Sequence, residues 1–568
     1  MVKMMNSCIE VASEPSPSRS VGRFRQRLNI LYEATPIFPA LPWRGRRRVR
    51  APDEAGWEAP GKHQAGLTRH GQYLVYKIRH GKIVGAGRGF FSIALVRLAR
   101  RSNERGTTVV RIGLVGRGRV AMPLTLAMIM ATATLLVAAG PPAGASEGSL
   151  RPSLTTNGVW PGVGKICEPG PGGASIERGV SSKTIHVAAF NDASNTAEPG
   201  LDKEFVQEAD AFADWCNASG GINGRKIVVD DRDGALFNAA QVTAQACQSD
   251  FMAVGGGLVL DQSAVPVREQ CGLGQITGFT VSDVSDTASD QVNPNNISLN
   301  HVPAGWFLAL AKKYPQAVKK AAMGAQNNPS ILEPERKWED AAQAYGWKVA
   351  EFQEPPLTVT DWTPYVQQLQ SQGIQAVWPA DSAAIAPYFQ AMSTLGYNPA
   401  FVALSVQDYS PDTIKALQGV HTPPVYVDTS YWPLELASQN PSTEQLIQVM
   451  HKYAKGDQID FDDEEAAESW LLWAKTATAC GPNLTSSCVL SKAATQKNWS
   501  AGGIQAPVAQ VTPSNKNPMP SPCFALLQAT QSKFVYDKAV TAPTQSIWNC
   551  NPKNIVTLTS QQLAAING

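Results

Sequence analysis

Histidine is scarce in this sequence, and the motifs of metal chemistry are missing from it. Seven histidines occur among 568 residues. After residue 145 they are His186, His301, His421 and His451, which are widely spaced, and the sequence has no C-x-x-C pair. A structural zinc site is therefore not expected. H-E-x-x-H and Walker A sequences are also missing, so we expect neither a zinc protease nor a P-loop nucleotide site, and no cofactor.

The near-neutral total charge hides two regions of opposite sign. The chain has 49 Lys and Arg against 47 Asp and Glu, a net charge of +2. Residues 1–120 contain 23 basic and 7 acidic residues, so they carry 23 − 7 = +16, and the remainder carries 26 − 40 = −14. Because phosphate contacts need a dense cationic surface, the acidic part disfavours a nucleic-acid binder.

Residues 111–145 have the layout of a secretory signal peptide. Arg111, Arg117 and Arg119 precede an apolar run over residues 121–139, and small residues at 143–145 form a cleavage site. The run is about long enough to span a bilayer, so a retained transmembrane anchor is the alternative. We expect cleavage, because the run is rich in Ala and Thr and ends in Gly-Pro-Pro. The mature protein would then lie in the periplasm or cell envelope, or be secreted.

Residues 1–110 precede that signal, where functional sequence is unusual. They contain the basic run at 44–50 and scattered Pro and Gly, without sustained periodicity. We interpret them as a disordered or mis-annotated extension of the coding sequence. The alternative is a basic arm that binds anionic lipid or nucleic acid.

The cysteines agree with export. Of nine, only Cys8 precedes the cleavage site, and the other eight suggest four disulfides. Eight cysteines allow 105 pairings, so the sequence alone does not select one. Local loops are the simplest prediction: Cys167 with Cys216, Cys247 with Cys271, Cys480 with Cys488, and Cys523 with Cys550.

Strand and helix patterns alternate in the mature chain, after a Gly-, Pro- and Ser-rich stretch at 146–182 that predicts a linker. The alternation runs over residues 184–278 and restarts after His301, with strand-like β-branched runs between segments of helical periodicity. This order predicts βαβ units and parallel sheets. We therefore predict an α/β fold with two doubly wound parallel-sheet lobes and a cleft between them.

Residues 214–227, DWCNASGGINGRKI, carry a more specific signal. They resemble the N-x-x-G-G-I-N-G-R segment of the leucine/isoleucine/valine-binding-protein-like receptors, which are type I periplasmic solute-binding proteins of ABC transporters. Two later segments, AMSTLGYNP at 391–399 and AGGIQAPV at 501–508, look like other parts of that family. The resemblance covers about residues 180–536.

The resemblance implies interleaved lobes and a transport function. The first lobe would comprise residues 183–300 and 428–523, and the second 301–427 and 524–568. Such receptors capture a small organic molecule, such as an amino acid, an amide or an aliphatic or aromatic acid, and deliver it to an ABC permease. We expect a monomer without catalytic activity. A ligand sensor for a membrane signalling partner is the alternative, and an extracellular hydrolase is a weaker one.

Ligands of open parallel sheets bind beyond the carboxyl ends of the strands, so turn residues there are candidate contacts. Each has a structural alternative, because Asn and Asp after strands also form turns and helix caps. Trp470 occupies a position where the family often has an aromatic lining residue, although its pairing with Trp473 on one helix face is typical of a core. The candidates are Asn191, Asp192, Gly257, Leu258, Thr280, Ser282, Asn327, Asn328, Asp381, Tyr409, Tyr431 and Trp470.

Two local patterns refine the ligand prediction. Amino-acid-binding members usually place Ser or Thr directly after the glycine-ended strand, whereas Leu258 follows Gly257 here. The resemblance therefore favours a small organic solute with apolar character over a branched-chain amino acid. The acidic run at 460–465 is interpreted as an exposed helix start rather than a metal site.

The signal-peptide interpretation makes a direct prediction. In protein recovered from its own host, mass spectrometry should find an N-terminal peptide that begins at Ser146, because the small residues at 143–145 precede it. Peptides from residues 1–100 in the same sample would contradict the interpretation of the upstream region.

Overall fold

The computed structural model describes residues 96–102, 108–114, 154, 157–173, 177–196, 198–380 and 385–566. The chain divides into two compact units, Met1–Ala143 and Gly144–Gly568. In the first unit, the described residues form an antiparallel hairpin of Val96–Ser102 and Thr108–Leu114. Apart from this hairpin, the predicted extension and signal peptide lie outside the described residues.

The first lobe of the second unit is built on a five-stranded sheet. All its strands are parallel, and the central ones are buried on both faces, as covered parallel sheets are. In spatial order they are Lys226–Asp233, Thr184–Asn191, Met252–Val254, Gln275–Ile276 and Gln291–Val292.

Helices on both faces of this sheet complete the first lobe. The last three of them lie in the part of the chain that follows the second-lobe strand Val425–Thr429. The helices are Glu204–Ala218, Ala239–Ser249, Val265–Cys271, Asp283–Asp286, Pro441–Tyr453, Phe461–Cys480 and Ser486–Ala493, with a two-stranded ribbon of Lys497–Trp499 and Val508–Gln510. Phe461–Cys480 is buried on nearly every side, because it packs against Glu204–Ala218 and the ends of the sheet strands.

The second lobe contains an eight-stranded mixed sheet. Five parallel strands are followed by antiparallel ones from the C-terminal part of the chain. In spatial order they are Val349–Gln353, Ala321–Gly324, Ala376–Val377, Phe401–Leu404, Val425–Thr429, Cys523–Ala529 and Phe534–Tyr536, with Asn549–Cys550 beside Cys523–Ala529. Its helices are Gly305–Lys313, Pro329–Ala344, Thr363–Gln372, Ile385–Leu395, Pro411–Leu417, Lys538–Thr541 and Ser560–Ile566.

Three segments cross between the lobes, near residues 293–302, 430–433 and 504–522. They are hydrogen-bonded to one another: Trp432 N donates to Ile504 O at 2.6 Å, and Ala506 N donates to Ser430 O at 2.6 Å. The strand Val425–Thr429 lies wholly in the second sheet, so the boundary predicted between 427 and 428 falls inside it. The strand Cys523–Ala529 likewise starts one residue before the predicted boundary at 524.

The predicted linker is wrong for residues 157–173, which dock on the first lobe. Val159–Trp160 pairs with Gly164–Lys165 as a small hairpin. Trp160 is fully buried, with its ring centroid 5.1 Å from that of Trp215, and its Nε1 donates to Ser442 Oγ at 2.7 Å. The Gly- and Pro-rich composition predicted a linker, because only a few apolar residues of the segment, among them Trp160, Ile166 and Cys167, are buried against the lobe.

The four disulfides join the cysteines in the local pairs that the sequence favoured. Cys167–Cys216 holds the docked segment to the helix Glu204–Ala218, and Cys247–Cys271 and Cys480–Cys488 also lie in the first lobe. Cys523–Cys550 lies in the second lobe. Within the described residues, no helix is both long enough and apolar enough to cross a membrane.

We expect Trp160→Ala to destabilise the protein by about 3–5 kcal/mol, because it leaves a cavity among aromatic rings and removes the hydrogen bond to Ser442. Urea unfolding measures the change. Lys165→Ala in the same hairpin is the control, since the Lys165 side chain is 54% exposed and should cost little. Equal midpoints for Trp160→Ala and the unmodified protein would show that the segment does not stabilise the lobe.

Candidate functional site

The carboxyl ends of the strands of both sheets meet at the inter-lobe boundary. Phe461 N, at the start of the first-lobe helix Phe461–Cys480, donates to Tyr409 O of the second lobe at 3.3 Å. Lys337 of the second lobe forms an ion pair with Asp283 of the first, and the Lys337 side chain is only 6% exposed. The structure therefore brings the lobes together at the edge where the sequence predicted a ligand.

Asn191 ends the strand Thr184–Asn191 and Asp192 follows it, and both are buried. The two carboxylate oxygens of Asp192 accept from Leu236 N at 2.7 Å and from Val259 N at 2.8 Å. Asn191 Nδ2 donates to Asp231 Oδ1 at 2.7 Å. These side chains hold together the loops that follow neighbouring strands. This is the structural role that the sequence offered as the alternative to a ligand contact.

Gly257 and Leu258 serve packing in this structure. A Cβ atom at Gly257 would lie 2.5 Å from the Phe279 ring, so only glycine fits beneath that ring. Leu258 is 4% exposed and packs with Phe190 and neighbouring apolar residues of the first lobe. Its side chain belongs to a satellite core and also lines a small cavity with Gly257 and Phe279, so a ligand contact at Leu258 stays a prediction.

Trp470 is fully buried, with its ring centroid 5.5 Å from that of Phe212 and 5.4 Å from that of Trp473. Its ring approaches Gly255 so closely that a Cβ there would lie 2.4 Å from Nε1. Gly255 also has φ of 74°, which glycine adopts without strain. Trp470 therefore packs in the core, as its spacing from Trp473 suggested.

Thr280 and Ser282 lie at the rim of the first lobe. Thr280 Oγ1 donates to Asp286 Oδ1 at 2.6 Å, and Ser282 Oγ donates to Asp261 Oδ1 at 2.5 Å while it caps the helix Asp283–Asp286. Burial raises the pKa of Asp286 to about 7, against the opposing effect of the Thr280 hydrogen bond. The neighbouring Asp283 receives Lys337 from the other lobe, so this rim forms part of the inter-lobe contact.

The second-lobe candidates after the strand Ala321–Gly324 do not converge on this contact. Asn327 is exposed, and its backbone N–H donates to Pro355 O at 2.7 Å. Asn328 caps the helix Pro329–Ala344, because its side chain accepts from Ser330 N at 3.0 Å. Asp381 lies outside the described residues.

Tyr409 and Tyr431 do lie at the inter-lobe boundary, and each is buried and bonded to a carboxylate. Tyr409 Oη donates to Glu435 Oε2 at 2.5 Å. Tyr431 Oη donates to Glu468 Oε1 at 2.7 Å, which joins a crossing segment to the helix Phe461–Cys480. Burial, reinforced by the nearby carboxylates, raises the pKa of both phenols well above its usual value.

Acidic side chains gather beside these tyrosines, at the start of two first-lobe helices. We name this group the acidic cluster. Its members are Asp202, Glu204, Glu208, Asp460, Asp462, Asp463, Glu464, Glu465 and Glu468. The prediction that residues 460–465 form an exposed helix start is wrong for most of them, because Asp463 and Glu464 are fully buried and Glu465 is nearly so.

Asp460 does cap its helix as the acidic pattern suggests. Its side chain accepts from Asp462 N at 3.1 Å, and Asp463 Oδ2 accepts from Asp460 N at 2.9 Å, which forms a capping box. The cap accounts for two acids of the run and leaves the others without a backbone partner. The sequence does signal the cluster through the density of carboxylates, but it does not show that the second lobe covers them.

Two members of the acidic cluster have no hydrogen-bond partner at all. Both carboxylate oxygens of Glu208 and both of Glu464 are buried and unpaired, and Glu468 Oε2 is unpaired as well. Burial raises the pKa of Glu208 and Glu464 well above the usual value. An uncompensated buried carboxylate is costly, so these positions call for a positive partner or a proton.

The cluster does not have the form of a metal centre. No group of three or more His, Cys, Asp or Glu within the described ranges has an arrangement that could hold a metal ion. Beside the two capping interactions, Glu468 Oε1 accepts from Tyr431 Oη at 2.7 Å. The Tyr431 ring in turn packs edge to face on that of Phe461, at the start of the same helix.

Comparison with known proteins gives a family and a fold. A family model described as periplasmic binding protein matches residues 184–533. A fatty acid ABC transporter substrate-binding protein from Thermomonospora curvata is similar in structure, with TM-score 0.52, 15% identity, and coverage of 66% of this chain and 95% of that one. A leucine-binding protein from Thermotoga maritima has TM-score 0.51, 12% identity and coverage of 62% and 98%. No curated protein sequence matches the chain.

The raised pKa of Glu208 gives a pH prediction. Between the unfolded and folded pKa values, the folded state holds more protons than the unfolded state, so this group makes the free energy of unfolding fall as pH rises through that window. Glu208→Gln removes the titration. It should raise stability more at about pH 8 than at about pH 5 in urea unfolding.

Glu444→Gln is the matched control for that series, since Glu444 lies partly exposed on the outer helix Pro441–Tyr453. Its difference from the unmodified protein should not depend on pH. A pH-independent effect of Glu208→Gln would contradict the burial of an ionisable group at that position.

Proposed function

The chain belongs to the periplasmic binding protein family and has its type I fold, and on this premise we propose that it captures a small organic solute outside the cytoplasm and delivers it to an ABC permease. The observation that carries the proposal is the meeting of the two sheets at their carboxyl edges, with the Lys337–Asp283 pair across the boundary. Receptors of this architecture work by closure of the lobes on the ligand.

The crossing segments support closure as a rigid-body movement. Each lobe has its own sheet, and three segments join the lobes. One apolar cluster contains residues of both lobes, among them Tyr409 and Phe461, and Lys337 and Asp283 form a charged pair across the boundary. In the proposed movement the lobes separate at this boundary while each sheet keeps its own packing.

Tyr409 and Tyr431 are the sequence-predicted contacts that we retain for the solute. Both lie at the boundary, and each hydroxyl is hydrogen-bonded to a carboxylate rather than to backbone of its own strand. The loops that follow the first-lobe strands are held in place by Asp192, Thr280 and Ser282, which we therefore propose as positioning residues rather than ligand contacts.

Protein isolated from its own host should carry a small organic molecule that denaturation releases unchanged. Native mass spectrometry identifies the molecule, and small-angle X-ray scattering should show a larger radius of gyration after its removal and a smaller one after its return. A chemically altered product after incubation would favour a hydrolase instead. An unchanged radius of gyration in both states would contradict closure.

Lys337→Met should weaken binding of the co-purified molecule by about 3- to 10-fold, because the closed form loses a partly buried ion pair while Asp283 stays in place. Lys348→Met is the control, since Lys348 is an exposed lysine of the same lobe. Isothermal titration calorimetry measures both. Equal affinities for the two variants would show that the pair does not contribute to closure.

A further inference from the structure

The acidic cluster has far more negative groups than positive partners. Among the described residues, the ammonium group placed at the cluster is that of Lys203, whose Nζ lies 2.6 Å from Glu204 Oε1. Lys203 also interacts with Asp460 and Asp462, and its side chain is 36% exposed, so it reaches the group from the edge. An alkylammonium group is thus the one cation that the structure already places against these carboxylates.

The centre of the cluster is left without such a partner. Glu208 and Glu464 are each 0% exposed, and none of their four oxygens accepts a hydrogen bond. The carboxylates of Glu435, Asp460 and Glu468 lie near enough to Glu464 to raise its pKa, and Glu208 acts in the same way on Asp463. Glu208 and Glu464 are therefore buried among like charges. A buried carboxylate is costly without a positive partner or a proton, so the unpaired oxygens of Glu208 and Glu464 favour the binding of a cation at this place.

The surroundings select an organic cation over a metal ion. Phe205 stacks on Phe279 with ring centroids 5.3 Å apart, and Tyr431 meets Phe461 edge to face at 5.2 Å. These rings come from the same helix starts and boundary loops as the carboxylates. Ammonium groups bind favourably against aromatic faces, and attached methylene groups gain from apolar contact. The described residues contain no metal-ligand arrangement here.

We infer that the acidic cluster is the specificity site of this receptor and that its solute is an organic cation with one or more ammonium groups. The inference rests on the proposed function, because Tyr409 O of the second lobe accepts from Phe461 N, at the start of the helix that carries Asp463 and Glu464, and parting of the lobes would expose this end of the helix. The ammonium groups would occupy the free oxygens of Glu208, Glu464 and Glu468, beyond the position that Lys203 already fills.

The test compares three probes of equal chain length with the full exported chain. 1,4-Diaminobutane carries two ammonium groups, 1,4-butanediol is neutral, and succinate carries two carboxylates. We expect 1,4-diaminobutane to raise the thermal unfolding midpoint and to bind measurably by calorimetry, whereas the other two probes do neither. Small-angle scattering in the same solutions reports whether the lobes close.

Glu464→Gln keeps the size of the side chain and removes its charge. It should weaken 1,4-diaminobutane binding by at least about 10-fold, as expected for loss of a buried charge-assisted contact. Glu444→Gln, on the outer helix, should leave the affinity within about 2-fold. Glu208→Gln is the second variant if Glu464→Gln does not fold, and near-ultraviolet circular dichroism checks both.

The outcomes separate this inference from the proposed function. Binding of succinate or 1,4-butanediol with no response to 1,4-diaminobutane would overturn the cation inference and leave the receptor proposal standing. Binding of 1,4-diaminobutane without closure would support the site and contradict the receptor mechanism. A third outcome is that Glu464→Gln and Glu208→Gln raise stability while 1,4-diaminobutane does not bind to the unmodified protein. The buried carboxylates are then compensated by protons and not by a bound cation, and the inference is wrong.

Discussion

The parallel register of the sheets is the constraint on which the rest of this structure depends. All strands of the first sheet run in one direction, so every loop that leaves a strand end emerges at the same edge. The helix that follows Thr184–Asn191 starts there, as do the loops tied by Asp192. Because five strands of the second sheet are also parallel, the two lobes meet where their polar loops and helix N-termini are concentrated.

That convergence explains why acidity is tolerated inside the molecule. Helix N-termini attract carboxylates, and Asp460 and Asp463 satisfy one such terminus. The remaining acids exceed what a single terminus can stabilise, and the packing of the helices Glu204–Ala218 and Phe461–Cys480 helps to remove them from water. The net charge of −14 after residue 120 is therefore not only a surface property, since part of it is enclosed at the boundary.

The sequence predicted the architecture well because alternation of strand and helix is a local signal. The alternation predicted over residues 184–278 and after His301 is present in observed elements such as the helix Ala239–Ser249 and the strand Ala321–Gly324, and the local disulfide pairs follow from chain proximity. The candidate site was harder to predict, because a turn residue such as Asp192 and a ligand contact have the same composition. The docking of Trp160 and the burial of Glu464 depend on parts of the chain hundreds of residues away, so no local sequence pattern predicts them.

The disulfides have a consequence for how the molecule moves. Three of the four cross-links among the described residues lie within the first lobe, and the fourth lies within the second. None of them spans the crossing segments. An oxidising environment therefore stiffens each half separately and leaves the relative motion of the halves to the peptide backbone alone. In the proposed closure, the range of opening is therefore set by backbone torsion angles in the three crossing segments and does not depend on the redox state of the cysteines.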